Sequence, residues 1–432
     1  MAMTPSVVVT DRLSDLPDDL LLNILSNLPT HFSVRLSVLS RRFRHLWATV
    51  PSVDLECYEC SLHGKFKSLC ESVFAGRDSS VALVRLRLHC GVCGFHSGIL
   101  SPWLSRALRH IDLHLPTGNI LSLFPVILRL ECLESLSISL SGEWNTRYVL
   151  PLPVPATCRL RRLKSLHLYG FRAIGELLEG IAASCPALKD VKLVPMKMNS
   201  LNLCSPSLRS LYLDCDSDEP LHLRLLCPSL EFLHFESPAR LVRHYQLDSP
   251  ALRSAVIKFG NIHHKHVVSV GDVIRSVANV SELLIHLTES EDIMSRPNEV
   301  HVLVDQYLSL PKFSNLKRLD VTACFTEKNV VDLISFLQHT PVLDSLNLTH
   351  EVPPLCKTAS MKKNSASKLP WSTRGDVFAS FTNLGVENKK KEVVKLLSQR
   401  VKGRAKAILF KRREPQKLSS RDYYKLTRRL SL

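Results

Sequence analysis

Two cysteine pairs are the first residues whose spacing could do chemistry: Cys57-x-x-Cys60 and Cys90-x-x-Cys93. Thiolates in such pairs hold tetrahedral zinc. The pairs stand 29 residues apart, wider than common zinc modules allow, so buried or incidental thiols are the better account. His263, His264 and His266 form a second cluster, with no acidic or cysteine partner at ligand spacing, and read as a loop. No glycine-rich phosphate or dinucleotide loop occurs, and no Gly-x-Ser-x-Gly elbow. Without a nucleophile and base in reach of each other, the sequence supports no enzyme, no catalytic residue, no metal and no cofactor.

Charge gives a second false lead. The chain of 432 residues carries 56 Lys and Arg against 40 Asp and Glu, a net +16. Residues 351–432 hold 21 of the basic and 6 of the acidic groups, which leaves 35 and 34 for residues 1–350. The body is neutral and the basic character belongs to the tail, so nucleic acid is not expected as the body's partner. No secretory leader is visible at Met1–Thr10 and no run approaches a membrane span, so a nuclear or cytoplasmic protein with reduced thiols is expected. The 13 cysteines are then mostly small hydrophobes.

The elements that could position a site begin at residue 13. Residues 13–47 read as three short helices. Pro17 suits a first turn, with Asp18 and Asp19 at the positive end. Leu16, Leu20, Ile24, Leu25 and Leu28 recur at helical spacing, and Pro29 stops the run. Thr30 can cap a second helix reaching about Leu39, and Ser40 a third carrying Phe43, Leu46 and Trp47. So short a bundle cannot bury all of this leucine, and some apolar surface should be left for a partner or for the next domain.

This segment resembles the F-box. The matching residues are Leu16-Pro17, Leu20, Ile24, Leu25, Leu28-Pro29, Val38-Leu39-Ser40-Arg41-Arg42 and Leu46-Trp47; Phe43 stands where plant members often have Trp. The resemblance implies docking to a Skp-type adaptor, and through it to a cullin–RING ubiquitin ligase. Leu16, Pro17, Leu20, Ile24, Leu39 and Trp47 are the implied contacts or supports of that surface.

From residue 80 to 350 one pattern recurs, Leu-x-x-Leu-x-Leu. It starts at Leu83, Leu108, Leu133, Leu163, Leu188, Leu208, Leu230, Leu316 and Leu343, with weaker copies at Leu252 and Val280. These eleven starts are 20 to 36 residues apart, mostly within the leucine-rich-repeat range. Cys185-Pro186, Ser205-Pro206, Cys227-Pro228, Ser249-Pro250 and Thr340-Pro341 precede five copies, each proline stopping a convex segment before the next strand. Each Leu-x-Leu puts two side chains on the inner face of a short strand, and units stack to share that core. The order also resembles plant F-box proteins with leucine-rich repeats. The expected fold is therefore α/β: an N-terminal three-helix F-box (11–50), a linker or cap (51–79), a solenoid with a parallel concave sheet (80–350), and a basic, partly disordered C-terminal tail (351–432).

The residues between the inward leucines face the concave side: Arg87, Asp112, His114, His167, Tyr169, Lys192, Tyr212, Asp214, His234, Glu236, Lys258 and Asp320. Tyr169, Tyr212, His234 and Glu236 form the candidate target-binding patch, since their repeats are the most regular. The resemblance implies a substrate receptor with a protein target; a non-degradative scaffold, or a nucleic-acid-associated regulator resting on the tail alone, are the rivals. In the tail, residues 357–375 read as a linker, and 387–410 as a possible basic amphipathic helix. Lys389-Lys390-Lys391 and Lys411-Arg412-Arg413 fit import signals, polyanion contacts or a poorly structured extension. Related plant proteins often carry a further C-terminal domain, and no match to it is evident here.

Overall fold

The structure is a computed structural model, which describes residues 15–38, 40–57, 63–90, 104, 108–141, 158–172, 174–216, 220–239, 242–262, 267–289, 311–323, 333, 336–351 and 410–413. The chain divides into two compact units, residues 1–209 and 210–432.

The first unit opens with α1 (Asp18–Ser26), α2 (Thr30–Leu36) and α3 (Phe43–Thr49). Pro17 stands just before α1 rather than in its first turn, and its carbonyl accepts the Leu20 and Leu21 N–H groups, each at 3.1 Å. Thr30 is likewise the first residue of α2 rather than its cap, because Pro29 holds the position before it. Arg42 holds the position before α3, while Ser40, two residues further back, accepts the Phe43 N–H on its Oγ at 3.3 Å. Leu21 and Leu25, one turn apart, form a core with Phe43 and Val50, and Leu16, Leu22, Leu28, Leu36 and Leu46 pack around it.

The stretch expected to be a linker or cap supplies β1 (Ser52–Glu56) and α4 (His63–Gly76). Then come β2 (Arg85–His89), β3 (His110–Pro116), α5 (Thr117–Ile127), β4 (Ser135–Ser141), β5 (Ser165–Tyr169), α6 (Gly175–Ser184), β6 (Asp190–Met196) and β7 (Ser200–Cys204). Strands β1 to β6 pair in sequence order, all parallel. The register stacks the repeat leucines into continuous ladders: Val53, Leu86, Ile111, Leu136, Leu166 and Val191 in one, Leu55, Leu88, Leu113, Ile138, Leu168 and Leu193 in the next. None is more than 2% exposed, so each repeat's apolar face is closed by its neighbours.

The second unit repeats the scheme. Its elements are β8 (Ser210–Cys215), β9 (Leu221–Leu226), β10 (Phe232–Pro238), β11 (Val242–Asp248), β12 (Ser254–Ile262), α7 (Val267–Ser276), β13 (Glu282–Glu289), β14 (Arg318–Ala323), β15 (Ser345–Glu351) and β16 (Phe410–Arg413). Strands β8, β10, β12, β13, β14, β15 and β16 pair in that order, all parallel, and β9 pairs with β11 separately. Where the connection between main-sheet strands is described, the chain runs either through a helix or through a strand outside that sheet. Phe410, expected at the end of a tail helix, instead begins β16; the rest of that helix lies outside the described residues. No described helix is long and apolar enough to cross a membrane.

Candidate functional site

Two surfaces stand out, one on the helices and one on the sheets. On the helices, packing of Leu21 and Leu25 inward leaves other apolar side chains outward. Leu20 is 51% exposed, Ile24 43%, Phe32 47% and Val38 86%. These are four of the six large apolar side chains exposed among the described residues: two on α1, one on α2 and one in the turn after α2. Of the six implied contacts, Leu20 and Ile24 share this face, Pro17 is exposed and Leu16 is half-buried. Leu39 lies outside the described residues. Trp47 is half-buried and turned toward α4: a Cβ added at Gly76 would fall 2.8 Å from its ring. Phe32 was missed because it lies outside the leucine pattern of the first helix.

The back of the bundle is fastened to the repeats. Ser52 Oγ donates to the Ser26 carbonyl at 3.0 Å, and the Asp54 N–H donates to Thr30 Oγ1 at 2.8 Å. The buried Arg77 guanidinium donates to the Val50 carbonyl, and the Asp78 N–H to the Ala48 carbonyl at 3.1 Å.

On the sheet of the first unit, Asp54, Arg87, Asp112, Ser137, His167 and Lys192 occupy one transverse row, on the face opposite the leucine ladders. Arg87 is the hub. Its guanidinium reaches Asp54 at 3.0 Å, Glu56 at 3.5 Å and Asp112 at 3.5 Å. His89 Nε2 lies 3.0 Å from Asp112 Oδ2. Burial would raise the Asp112 carboxyl, but the His89, Ser137 and Arg87 contacts outweigh it and hold it low. His114 is buried, which pushes its imidazole down to about 4. His167 pairs with Asp190 at 2.6 Å. Tyr169 lies in this unit, with the Lys192 ammonium 5.8 Å from its ring centre.

The second unit holds the other three members of the expected patch, and it does bring them together. Tyr212 and His234 are register partners whose rings stack at 3.8 Å with 12° between planes. Two residues on, Asp214, Glu236 and Lys258 are in register across β8, β10 and β12. His234 Nε2 is 3.4 Å from Glu236 Oε2, and Lys258 Nζ donates to the same oxygen at 3.0 Å. Burial would raise Glu236, yet these two partners hold it down to about 2. Asp214 has no such help: burial and the neighbouring Glu236 and Asp216 push it up to about 7, against a weaker pull from Lys258. His234 is only 7% exposed, which makes it a floor under Tyr212 rather than a side chain offered to solvent.

Of the cysteine pairs, Cys57 and Cys90 lie among the described residues and are in no disulfide, while Cys60 and Cys93 lie outside them. His263, His264 and His266 also lie outside them. Among the described residues no group of three His, Cys, Asp or Glu side chains could hold a metal.

The comparisons with known proteins agree with this division. Residues 13–54 match the F-box domain family, a span that covers α1 to α3 and runs into β1. An FBD-associated F-box protein of Arabidopsis thaliana is 27% identical over 380 residues, 81% of this chain and 79% of the relative. A putative F-box/FBD/LRR-repeat protein of the same plant is 26% identical over 369 residues, 79% of this chain and 80% of the relative. A further F-box/FBD/LRR-repeat protein there is 27% identical over 365 residues, 79% of each chain. The three helices with the outward Leu20, Ile24 and Phe32 are thus an F-box, heading a chain that is similar over most of its length to plant F-box proteins with leucine-rich repeats.

Proposed function

We propose that this chain is the substrate-recognition subunit of a Skp–cullin–F-box ubiquitin ligase. The F-box docks a Skp-type adaptor, and the concave faces capture a target protein for ubiquitination. The observation that carries the reading is the outward apolar face of the F-box. Leu20, Ile24, Phe32 and Val38 stay exposed although the bundle beneath them already has its own core. Exposed apolar side chains gathered on one small module are what a protein partner covers. The chain itself does no chemistry in this reading; it holds a target close to a charged ubiquitin carrier, and proximity does the rest. The work belongs to the nucleus or cytoplasm.

For target capture, the reading rests on Tyr212 stacked on His234 beside Glu236, with Tyr169 as a separate contact in the first unit. Aromatic groups backed by a rigid floor are typical energetic anchors of protein interfaces. Two experiments test the two halves. Purified chain should co-elute with a plant Skp-type adaptor, and should fail to after Leu16→Ala with Pro17→Ala; co-elution that survives this change refutes the docking role. With the F-box deleted, affinity capture should retain a target that Tyr212→Ala with Glu236→Lys releases. If only changes on the convex side release it, the patch is wrong.

A further inference from the structure

The turns that lead into the strands of the first unit gather one kind of charge. Backbone hydrogen bonds set them in a row. The Glu134 N–H donates to the Arg109 carbonyl at 2.7 Å, and Lys164 donates to Glu134, Lys189 to Lys164 and Arg209 to Lys189, each at 2.8 Å. These five positions therefore recur at one strand spacing, ~4.8 Å per step, along a rim on the order of 20 Å long. All but Glu134 are exposed. Glu134 is held from both sides, by Lys164 at 2.6 Å and by Arg109 at 3.9 Å. A second set sits in the adjoining turns. The Arg159 N–H donates to the Leu128 carbonyl at 2.9 Å, which brings the turn carrying Arg159, Arg161 and Arg162 beside the one carrying Arg129 and Glu131. Arg159 pairs with Glu131 at 3.1 Å.

The rim thus holds eight cations against two carboxylates, a net +6, on a body whose residues 1–350 sum to only +1. Both carboxylates are already engaged, while Arg129, Arg161, Arg162 and Lys189 make no ion pair among the described residues. Stacking of repeats does not require this surplus. The equivalent row of the second unit, Glu231, Arg253, Ser281, Lys317 and Asp344, is joined by the same backbone bonds and carries no net charge. Self-repulsion among like charges opposes folding, so the fold alone gives no reason to collect them.

We propose that this rim is a docking surface for an acidic segment of another protein, rich in Asp and Glu. Charge complementarity sets the sign of the partner. Six of the eight cations are arginine, whose planar fork takes a carboxylate through two parallel hydrogen bonds. An extended segment of about six residues spans the row. A nucleic acid fits less well. The described turns of the rim carry no Tyr, Trp or Phe on which unpaired bases could stack. Glu131 and Glu134 interrupt the row and repel an evenly charged phosphate backbone, whereas a flexible peptide sets its acids between them. Lys164 precedes β5 and Tyr169 ends it, so the rim lies at the opposite end of the strand from that target contact and does not depend on it.

The test mixes the full chain with an oligoglutamate peptide that carries a photoreactive group, irradiates, digests and maps the cross-links by mass spectrometry. The basic tail also attracts the peptide, so the readout is position. Cross-links are expected at residues 159–164 and at Lys189 in addition to any on the tail, and they should fade at high salt. Arg161→Glu with Arg162→Glu should cut the rim cross-links by about tenfold and leave those on the tail in place. A DNA duplex of equal charge, carrying the same group, should label the rim less than the peptide does. Cross-links confined to the tail, rim cross-links that survive the double reversal, or a rim that prefers the duplex would each overturn the proposal. If the double reversal fails to fold, the wild-type map and Lys189→Glu decide the matter.

Discussion

Replacing Leu20 and Ile24 together by alanine should weaken adaptor binding by two orders of magnitude and leave the F-box folded. The magnitude follows from how much of each side chain the fold leaves in water. Fully burying a leucine or isoleucine is worth roughly 1.5–3 kcal/mol relative to leaving it exposed. Leu20 is 51% exposed and Ile24 43%, so about half of that remains for a partner to collect, on the order of 1 kcal/mol each. At the centre of an interface, truncation also leaves a gap in the partner's pocket, and anchors there typically cost about 2 kcal/mol or more. The pair should therefore lose about 2–4 kcal/mol, or roughly 30- to 1000-fold in Kd. Folding should change little. The F-box core is made by Leu21, Leu25, Phe43 and Val50, and alanine is the better helix former at both exposed positions.

The assay is calorimetric or optical titration of purified chain with a Skp-type adaptor, with a thermal melt of each variant. Leu69→Ala is the matched control, since Leu69 is 37% exposed but lies on α4, outside the three F-box helices. A double variant that melts normally and binds within twofold of wild type would refute the reasoning. The outward apolar face would then have some other use.

Three further outcomes follow from the two sheets. Arg87→Gln leaves Asp54, Glu56 and Asp112 facing one another across adjacent strands, which should cost about 1–2 kcal/mol at neutral pH after allowing for their partial exposure. Asp112 is held low in the folded protein, so its contribution is present above the ordinary carboxylate value and is lost only as pH falls through the depressed folded value; urea melts of variant and wild type should converge only below the ordinary carboxylate range. Asp214→Asn should act in the opposite sense. Its folded value is raised to about 7, so ionisation opposes folding as pH climbs from about 4 past 7, and the variant should be the more stable by roughly 2 kcal/mol at pH 8 and equal near pH 4. Gly175→Ala should cost about 1–3 kcal/mol in a thermal melt, because the new Cβ would lie 2.3 Å from the Ser200 carbonyl oxygen, which is backbone and cannot swing aside.

The repeats were legible because stacking enforces them. A Leu-x-Leu that did not alternate would break the ladder on both sides, so even the weak copies at Leu252 and Val280 lead into strands paired in the parallel sheet, β12 and β13. The strand that escaped is β1. Val53 and Leu55, with Val50 just before the strand, keep the spacing of the repeat with valine in place of two leucines, and Val50 is a core residue of the F-box. A leucine-only pattern cannot see it. The strands β7 and β9 show plain alternation too, at Leu201 and Leu203 and at Leu221, Leu223 and Leu225. They were missed because the convex segment of a repeat accepts a helix or a strand, and the repeat pattern does not discriminate there. For the sites, parity along a strand places Tyr212, His234 and Glu236 on the open face, but only the pairing register shows that Tyr212 roofs His234. Nor does helical spacing distinguish Leu20, which faces water, from Leu21, which does not; the choice depends on where Phe43 and Val50 arrive from a distance in sequence.

The joint between the F-box and β1 also bears on how a receptor of this kind would work. If the F-box hung on a loose linker, a captured target would wander relative to the ubiquitin carrier and the gain from proximity would fall. Instead the bundle is fastened to β1 by the Ser52 hydroxyl on the Ser26 carbonyl and by Thr30 Oγ1 on the Asp54 N–H, both at the start of the repeats. Thr30→Val with Ser52→Ala keeps nearly the same volume and removes both bonds, at about 1 kcal/mol for each bond and somewhat more where a buried N–H is left without an acceptor. On the ligase reading, the Kd for adaptor and for target should each stay within twofold of wild type, since neither surface is touched. Hydrogen exchange should speed up at Asp54 and across α2, and the rate of ubiquitin transfer to a captured target should fall severalfold at saturating target. Transfer at the wild-type rate, with exchange at the joint demonstrably faster, would show that stiffness between F-box and repeats is not what the geometry is for.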